Sequence, residues 1–301
     1  MISTIDRGVL FMLLSALISA LNGAVAKVLS EDLSALEIVF FRNLIGVLII
    51  LYTLRHTPPR LTGGKFHLLF LRGFLGFSAM ILFFYTITEI PLGVAITLNK
   101  TSPFFVSLLA FYLLHEKLSK TNIFALLIGF FGVILITKPS GIDISYEHFL
   151  GILGGFFAAA AYTTIKKIKN IYDTRVIVLS FVGVGTFFPA LFFLLTPFID
   201  TPEALAFLFE PFVFPTSSKV WLLIVFMAFI STFSQWLLTK AYSISKASII
   251  GVVSYTNIPF AIGFGFMLGD AFPDFLTFLG ISFIILGGVL VSRKASAQKP
   301  V

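Results

Sequence analysis

The sequence predicts an all-α membrane protein with ten transmembrane helices, arranged as two inverted five-helix repeats with both termini in the cytoplasm. Three observations predict this: few charged residues, ten long apolar stretches, and a motif pattern that recurs in the second half. Only 12% of the 301 residues are charged, about half of the share found in soluble domains. Because the mean hydropathy is +1.03, most of the surface is expected to face lipid.

Ten apolar stretches follow one another, separated by charged residues, prolines or glycines. Most are close to the roughly 20 residues that cross the hydrocarbon core as a helix, and a helix satisfies every backbone polar group in lipid. No room remains for a separate soluble domain. The predicted spans are residues 7–29, 34–54, 65–88, 93–114, 121–138, 148–168, 174–198, 219–241, 247–268 and 275–292.

The Lys and Arg residues set the predicted orientation. With a cytoplasmic N-terminus, 15 of the 21 fall on the cytoplasmic side, three on the outer side and three within spans. Basic residues concentrate in this way in cytoplasmic loops, which predicts a multi-pass protein of the cytoplasmic (inner) membrane. We therefore do not attribute the net charge of +7 to nucleic-acid binding, which would require a basic run with interleaved aromatic residues.

The two halves of the chain carry similar patterns, and each opens with a glycine-led helix, at Gly8 and at Gly151. Because five helices is an odd number, the second repeat must enter the membrane from the opposite face, as in many secondary transporters. We assign residues 1–140 to the first repeat, 141–294 to the second, and 295–301 to a disordered cytoplasmic tail. The recurring features are Tyr85, residues 99–104, Glu116 and residues 129–135 in the first half, and Tyr242, residues 255–260, Asp270 and residues 286–290 in the second.

Several motifs resemble those of the EamA-type branch of the drug/metabolite transporter superfamily. They are Phe41-Arg42-Asn43, Leu71 to Gly76, Pro91 to Ala95, Thr101 to Phe104, His115 to Ser119, and Gly129 to Val133. The resemblance implies a ten-helix carrier of metabolites, amino acids, nucleosides or vitamins, with both termini in the cytoplasm. His115-Glu116 stands where the family has Gly-Glu, and the second half has no arginine that matches Arg42.

Lys100 is the first candidate for a substrate-binding residue. A charge at the centre of a span costs at least about 2.5–3.5 kcal/mol, so such residues are commonly functional. Lys100 lies beside Asn99 and Thr101 and shortly before Pro103, a proline that can kink the helix and free backbone carbonyls. The site could bind a carboxylate or phosphate, or Lys100 could instead extend to the outer surface.

Two arginines also lie within predicted spans. Arg42 could bind an anionic group through its two-pronged guanidinium, although a gating role or a structural role, capping carbonyls or pairing with Glu37, is favoured. Arg72 is expected to extend to the cytoplasmic surface. Gly73 and Gly76 beside it form a small-residue pattern that lets another helix approach closely.

The second half offers counterparts to the Lys100 region. Tyr255 and Asn257 precede Pro259 as Asn99, Lys100 and Thr101 precede Pro103, so both prolines are predicted to kink or gate their helices. An interhelical hydrogen bond is the alternative for Asn257. Tyr162 and Gln235 are weaker candidates that more often join helices than bind ligands.

These features predict a secondary transporter, not an enzyme, that moves a small polar metabolite by alternating access between the repeats. The buried cations favour an anionic or zwitterionic substrate. No cofactor or metal site is expected, since no phosphate-binding loop or zinc motif occurs and the chain has no cysteine. The expected partners are the substrate and membrane lipid, and a homodimer is left open. Proton coupling is not supported, because no acidic residue is clearly central in a predicted span. The alternatives are an intramembrane lipid-modifying enzyme and a non-transporting scaffold.

Overall fold

The computed structural model describes residues 6–59, 63–89, 98–137, 146–199, 201, 208–209, 211–267 and 274–297. Eleven α-helices account for most of these residues, so the prediction of an all-helical chain is confirmed. The helices are α1 (Arg7–Leu29), α2 (Ala35–His56), α3 (Phe66–Glu89), α4 (Ser102–Leu114), α5 (Lys120–Thr137), α6 (Tyr146–Ile168), α7 (Thr174–Leu195), α8 (Ser218–Ile244), α9 (Ala247–Val253), α10 (Asn257–Met267) and α11 (Phe275–Ala297).

The helix positions follow the predicted spans closely. Within the described residues, seven helical segments are long and apolar enough to cross a membrane, one of them formed by α9 and α10 together. Three shorter apolar helices, Ser102–Leu114, Lys120–Ile136 and Phe275–Leu290, lie where the remaining spans are expected. Ten membrane crossings and cytoplasmic termini stay predictions. The start of the fourth predicted span, Asp270 and residues 298–301 lie outside the described residues.

Side chains that satisfy exposed backbone N–H groups define several helix starts. The carboxylate of Asp6 accepts a hydrogen bond from the Gly8 amide at 2.8 Å. Ser34 and Glu37 form a reciprocal capping box at the start of α2, which satisfies two such donors at once. Asp173 caps α7, and the hydrogen bond that it accepts from the Arg175 side chain lowers the pKa of its carboxyl group.

Helices α9 and α10 are two parts of the apolar segment that was predicted as one span, residues 247–268, with Pro259 as a kink or gate. A 3-10 turn at Ser254–Thr256 separates them and ends three residues before Pro259. The chain is similarly interrupted by turn residues at Lys100 and Thr101, directly before α4 and its Pro103. The predicted irregularity therefore lies just before each proline, where the absent proline N–H leaves a carbonyl without its helical partner.

Helices from the two halves of the chain pack against one another along their length. The main pairs are α1 with α8, α3 with α6, α2 with α7, and α5 with α11. Glycines permit the closest approaches. A Cβ atom at Gly132 would lie 2.6 Å from the carbonyl oxygen of Gly280, and a Cβ at Gly280 would lie 2.6 Å from that of Gly132. The predicted close approach at Gly73 and Gly76 is confirmed, since both lie directly against α7.

Glu116 connects the first half of the chain to the second. Its carboxylate accepts hydrogen bonds from the amides of Ala247, at 3.0 Å, and Ser248, at 3.4 Å, and from the Ser248 hydroxyl at 3.3 Å. These amides begin α9, whose own N-cap side chain makes no capping bond. A carboxylate at a helix N-terminus satisfies free donors and interacts favourably with the helix dipole.

We expect Glu116→Ala to lower the midpoint of thermal unfolding in detergent by about 2–4 °C, because the start of α9 loses its only carboxylate cap among the described residues. The control is Glu31→Ala, which removes an exposed acid outside any helix. An equal effect of the two substitutions would contradict the capping role.

We expect Gly132→Ala to lower the same midpoint by about 3–8 °C, because the new methyl group forces α5 and α11 apart. Gly183→Ala is the matched control, since a Cβ there meets no atom within 4 Å and alanine favours the helix. The control should match or slightly exceed the wild-type midpoint. A neutral Gly132→Ala variant would show that the crossing is not tightly packed.

Candidate functional site

The interruptions before the two prolines meet in the interior of the protein. The hydroxyl of Tyr255, in the 3-10 turn between α9 and α10, donates a hydrogen bond to the carbonyl oxygen of Lys100 at 3.3 Å. The Tyr255 side chain is fully buried. An irregular part of the first half therefore contacts an irregular part of the second half directly.

Local hydrogen bonds stabilise both interruptions. The hydroxyl of Thr101 donates to the Leu98 carbonyl at 2.6 Å, and the hydroxyl of Thr256 donates to the Val253 carbonyl at 2.7 Å. Ser254 bonds the Gly251 carbonyl in the same way. Side chains thus satisfy carbonyls that a continuous helix would pair with amides, which is what makes an irregular backbone tolerable inside a membrane.

Lys100 is the cationic residue of this region. Its side chain is half-buried, and its ammonium group forms no hydrogen bond or ion pair with another described residue. Asn99 precedes it in the last helical residues before the interruption and is also half-buried. Thr101 faces α6, where a Cβ atom at Gly155 would lie 2.6 Å from the threonine hydroxyl. A cation with free donor capacity can bind a carboxylate or a phosphate.

Asn257 connects α10 to α1. Its side-chain amide donates to the carbonyl oxygen of Ala16 at 2.9 Å. This is the interhelical hydrogen bond that the sequence left open as the alternative to ligand binding. The bond uses one donor only, so further hydrogen-bonding capacity of the amide remains for a ligand.

Arg42 does not pair with Glu37. Its guanidinium donates to the sulfur of Met80 on α3 at 2.8 Å and weakly to the Asn43 side chain at 3.4 Å. The Glu37 carboxylate instead accepts hydrogen bonds from the Ser34 amide at the start of α2, at 2.9 Å, and from the Val213 amide, at 2.6 Å. The contacts of Arg42 are neutral, and Arg42 has no carboxylate partner among the described residues, so an anion near α2 and α3 would be attracted to it.

The two weaker candidates lie on α6 and α8. The ring of Tyr162 stacks on the ring of Tyr242, with centroids 4.9 Å apart and an interplanar angle of 13°. Gln235 is half-buried on α8, directly after Ser234, whose hydroxyl bonds Ser15 and Ser19 of α1. The structure thus brings Lys100, Thr101 and Tyr255 together, whereas Arg42, Tyr162 and Gln235 contact other residues.

The expectation for Arg72 was wrong. Its side chain is 1% exposed and does not extend to a surface. Its guanidinium lies over the ring of Phe181, with the central carbon 5.1 Å from the ring centroid. Gly73 and Gly76 were the sequence signal for the burial of Arg72. They let α7 approach α3 so closely that the Arg72 side chain is enclosed between the two helices.

The concavity between α1 and α2 does not coincide with the predicted substrate site. A concavity of about 500 Å³ is lined by residues of the α1–α2 connection and by Pro211 and Val213, and it contains none of the predicted substrate-binding residues. Within the described residues, no group of three or more His, Cys, Asp or Glu side chains could hold a metal ion.

Similar proteins are transporters. An uncharacterized transporter of Helicobacter pylori is 34% identical over 298 residues, which cover 97% of both chains. A protein of Pseudomonas aeruginosa named pseudopaline exporter CntI is 31% identical over 291 residues, which cover 96% of this chain and 97% of the exporter. A solved crystal structure superimposes with a TM-score of 0.79 over 97% of this chain and 99% of that chain, at 16% identity, and supports the fold alone.

The sequence model of the EamA-like transporter family matches residues 6–138 and again residues 145–293. Together the two matches span nearly the whole chain. The motif resemblance noted in the sequence is therefore confirmed. The chain belongs to the EamA-like transporter family of the drug/metabolite transporter superfamily and is a multi-pass transporter of the inner membrane.

Proposed function

We propose that the protein is a secondary transporter that moves a small polar metabolite, anionic or zwitterionic, across the inner membrane by alternating access. The substrate binds between the two repeats, at the helix interruptions before Pro103 and Pro259. The observation that carries this proposal is the hydrogen bond between Tyr255 and the Lys100 carbonyl. Interrupted helices that meet between repeats, with an available cation beside them, are typical of transporter substrate sites.

The packing between the halves supports the inverted repeat. In such a repeat α1 corresponds to α6 and α3 to α8, so a contact of α1 with α8 requires its counterpart between α6 and α3. Both contacts occur. The contact of α4 with α6 likewise has its counterpart in that of α10 with α1. The double match of the family model, to residues 6–138 and 145–293, divides the chain at the same place.

The starts of the repeats agree with the same symmetry. A Cβ atom at Gly8, which opens α1, would contact Ser245, three residues after the recurring Tyr242. A Cβ at Gly151, near the start of α6, would contact Thr86, directly after the recurring Tyr85. Equivalent glycines therefore face equivalent ends of the partner helices. Two similar halves that contact each other in this way can rock against one another around a site between them, which is the basis of alternating access.

The substrate proposal rests on the cations. Lys100 and Arg42 both lie within the membrane-spanning part without a carboxylate partner among the described residues, and a buried charge is stabilised by a counter-charge. The name of the Pseudomonas aeruginosa relative indicates export of a small molecule. We extend from this relative only the class of small-molecule cargo.

We expect Lys100→Met to reduce flux of the transported solute in proteoliposomes about 10–100-fold, the effect of losing one hydrogen bond to a charged group. The assay measures uptake and efflux against a panel of carboxylates, amino acids and phosphorylated metabolites. Lys120→Met is the control, because Lys120 is an exposed lysine at the start of α5. It should leave flux unchanged.

Two outcomes would contradict the proposal. Unchanged flux in Lys100→Met would remove Lys100 from the site. Failure of the folded wild-type protein to move any solute of the panel would count against a carrier of small polar metabolites.

A further inference from the structure

Arg72 is a buried cation for which the transport site proposed above provides no role. It lies on α3 and is 1% exposed. Its guanidinium stacks on Phe181 of α7, and Gly76, one turn further along α3, leaves the space for it. A Cβ atom at Gly76 would lie 2.5 Å from Nη1 of Arg72. The arginine is therefore held in a defined position by α3 and α7.

Two nitrogens of this guanidinium have no partner. Nε and Nη2 are buried and form no hydrogen bond with any described residue. Their N–H bonds point in parallel from one edge of the planar group. This is an edge that binds two oxygens of a carboxylate or phosphate side by side. The unsatisfied part of Arg72 thus has the geometry of an oxyanion-binding fork.

Most carboxylates of the described residues are engaged elsewhere. The carboxylates of Asp6, Glu37, Glu116, Asp173 and Asp274 all accept hydrogen bonds at helix starts. None of these five carboxylates bonds Arg72. Leaving a buried arginine without a counter-ion is strongly unfavourable. A structural arginine would instead bond backbone carbonyls, and these two nitrogens do not.

Tyr162 lies on α6, which packs against α3, the helix that carries Arg72, and it offers a second donor. Its ring is fixed against Tyr242, and its hydroxyl makes no hydrogen bond to another described residue. A phenol hydroxyl can donate to an anionic oxygen. Arg72 belongs to the first half and Tyr162 to the second, so a ligand that binds both would connect the two halves.

We propose that Arg72, with Tyr162, binds an oxyanion group, a carboxylate or a phosphate, of the transported solute. This inference rests on the proposed alternating access, because α3, α6 and α7 must separate for an anion to reach the enclosed guanidinium. A bound oxyanion would supply the counter-ion that Arg72 lacks among the described residues. The solute is accordingly an anion or a zwitterion, and Arg72 selects it against neutral analogues.

The test measures thermal unfolding of the purified protein in detergent, with acetate, succinate or inorganic phosphate compared with chloride at equal ionic strength. We expect at least one of these oxyanions to raise the unfolding midpoint of the wild type by about 2–4 °C, because a ligand that prefers the folded state stabilises it. Arg72→Met should lose this response. Arg175→Met, which removes an arginine already paired with Asp173, should keep it.

A second readout separates binding from a structural role. In chloride alone, Arg72→Met should unfold at the wild-type temperature or above it, since replacing an unpaired buried charge by an apolar side chain is neutral or stabilising. A structural arginine predicts a lower midpoint. If Arg72→Met does not fold, Arg72→Lys serves instead, because it keeps the charge and lacks the two-donor edge; its oxyanion response should be at least halved.

The proposal is overturned if the wild type lacks the oxyanion response or if the Arg72 variant retains it. A response to phosphatidylglycerol without one to any soluble oxyanion would identify a lipid headgroup site and would contradict a solute site. Failure of the proposed transport function can be distinguished from failure of the Arg72 site. A protein that moves no solute in proteoliposomes but shows an Arg72-dependent oxyanion response would reject the transport function while leaving the binding site intact.

Discussion

The structure depends on one constraint, that a backbone polar group in lipid must find a partner within the protein. This keeps nearly every intramembrane segment helical and restricts interruptions to places where side chains and neighbouring helices provide partners. The turn at Lys100 and Thr101 and the turn at Ser254–Thr256 are such places. Hydroxyls of Thr101, Ser254 and Thr256 bond nearby carbonyls, and Tyr255 bonds the carbonyl of Lys100 across the interface.

Close contact between helices of the two halves follows from the absence of side chains at a few positions. Gly132 and Gly280 let α5 and α11 touch through their backbones, and Gly8 and Gly151 leave room for side chains of neighbouring segments. Without a hydrophobic driving force between helices in lipid, such packing and interhelical hydrogen bonds provide the association. The bonds of Glu116 to the start of α9 are one such set of contacts between the halves.

Much of the fold could be predicted from the sequence, because lipid leaves few alternatives for a long apolar run. The division of one segment into α9 and α10 could not, since Pro259 shows that a helix is weakened but not which carbonyls find substitutes. The candidate site was predictable in part. Lys100 and Tyr255 were found because they precede recurring prolines. The burial of Arg72 was missed because the direction in which a helix face points depends on its neighbours, and only Gly73 and Gly76 indicated a close partner.

The central claim is that two similar five-helix halves enter the membrane in opposite senses. Ser30, in the α1–α2 connection, and Asn170, in the α6–α7 connection, are exposed and would lie in equivalent loops of the proposed repeats. Because the chain has no cysteine, Ser30→Cys and Asn170→Cys can each be labelled alone in intact cells with a membrane-impermeant thiol reagent. The account predicts that Ser30→Cys reacts from outside and that Asn170→Cys reacts only after permeabilisation. Labelling of both from the same side would contradict it.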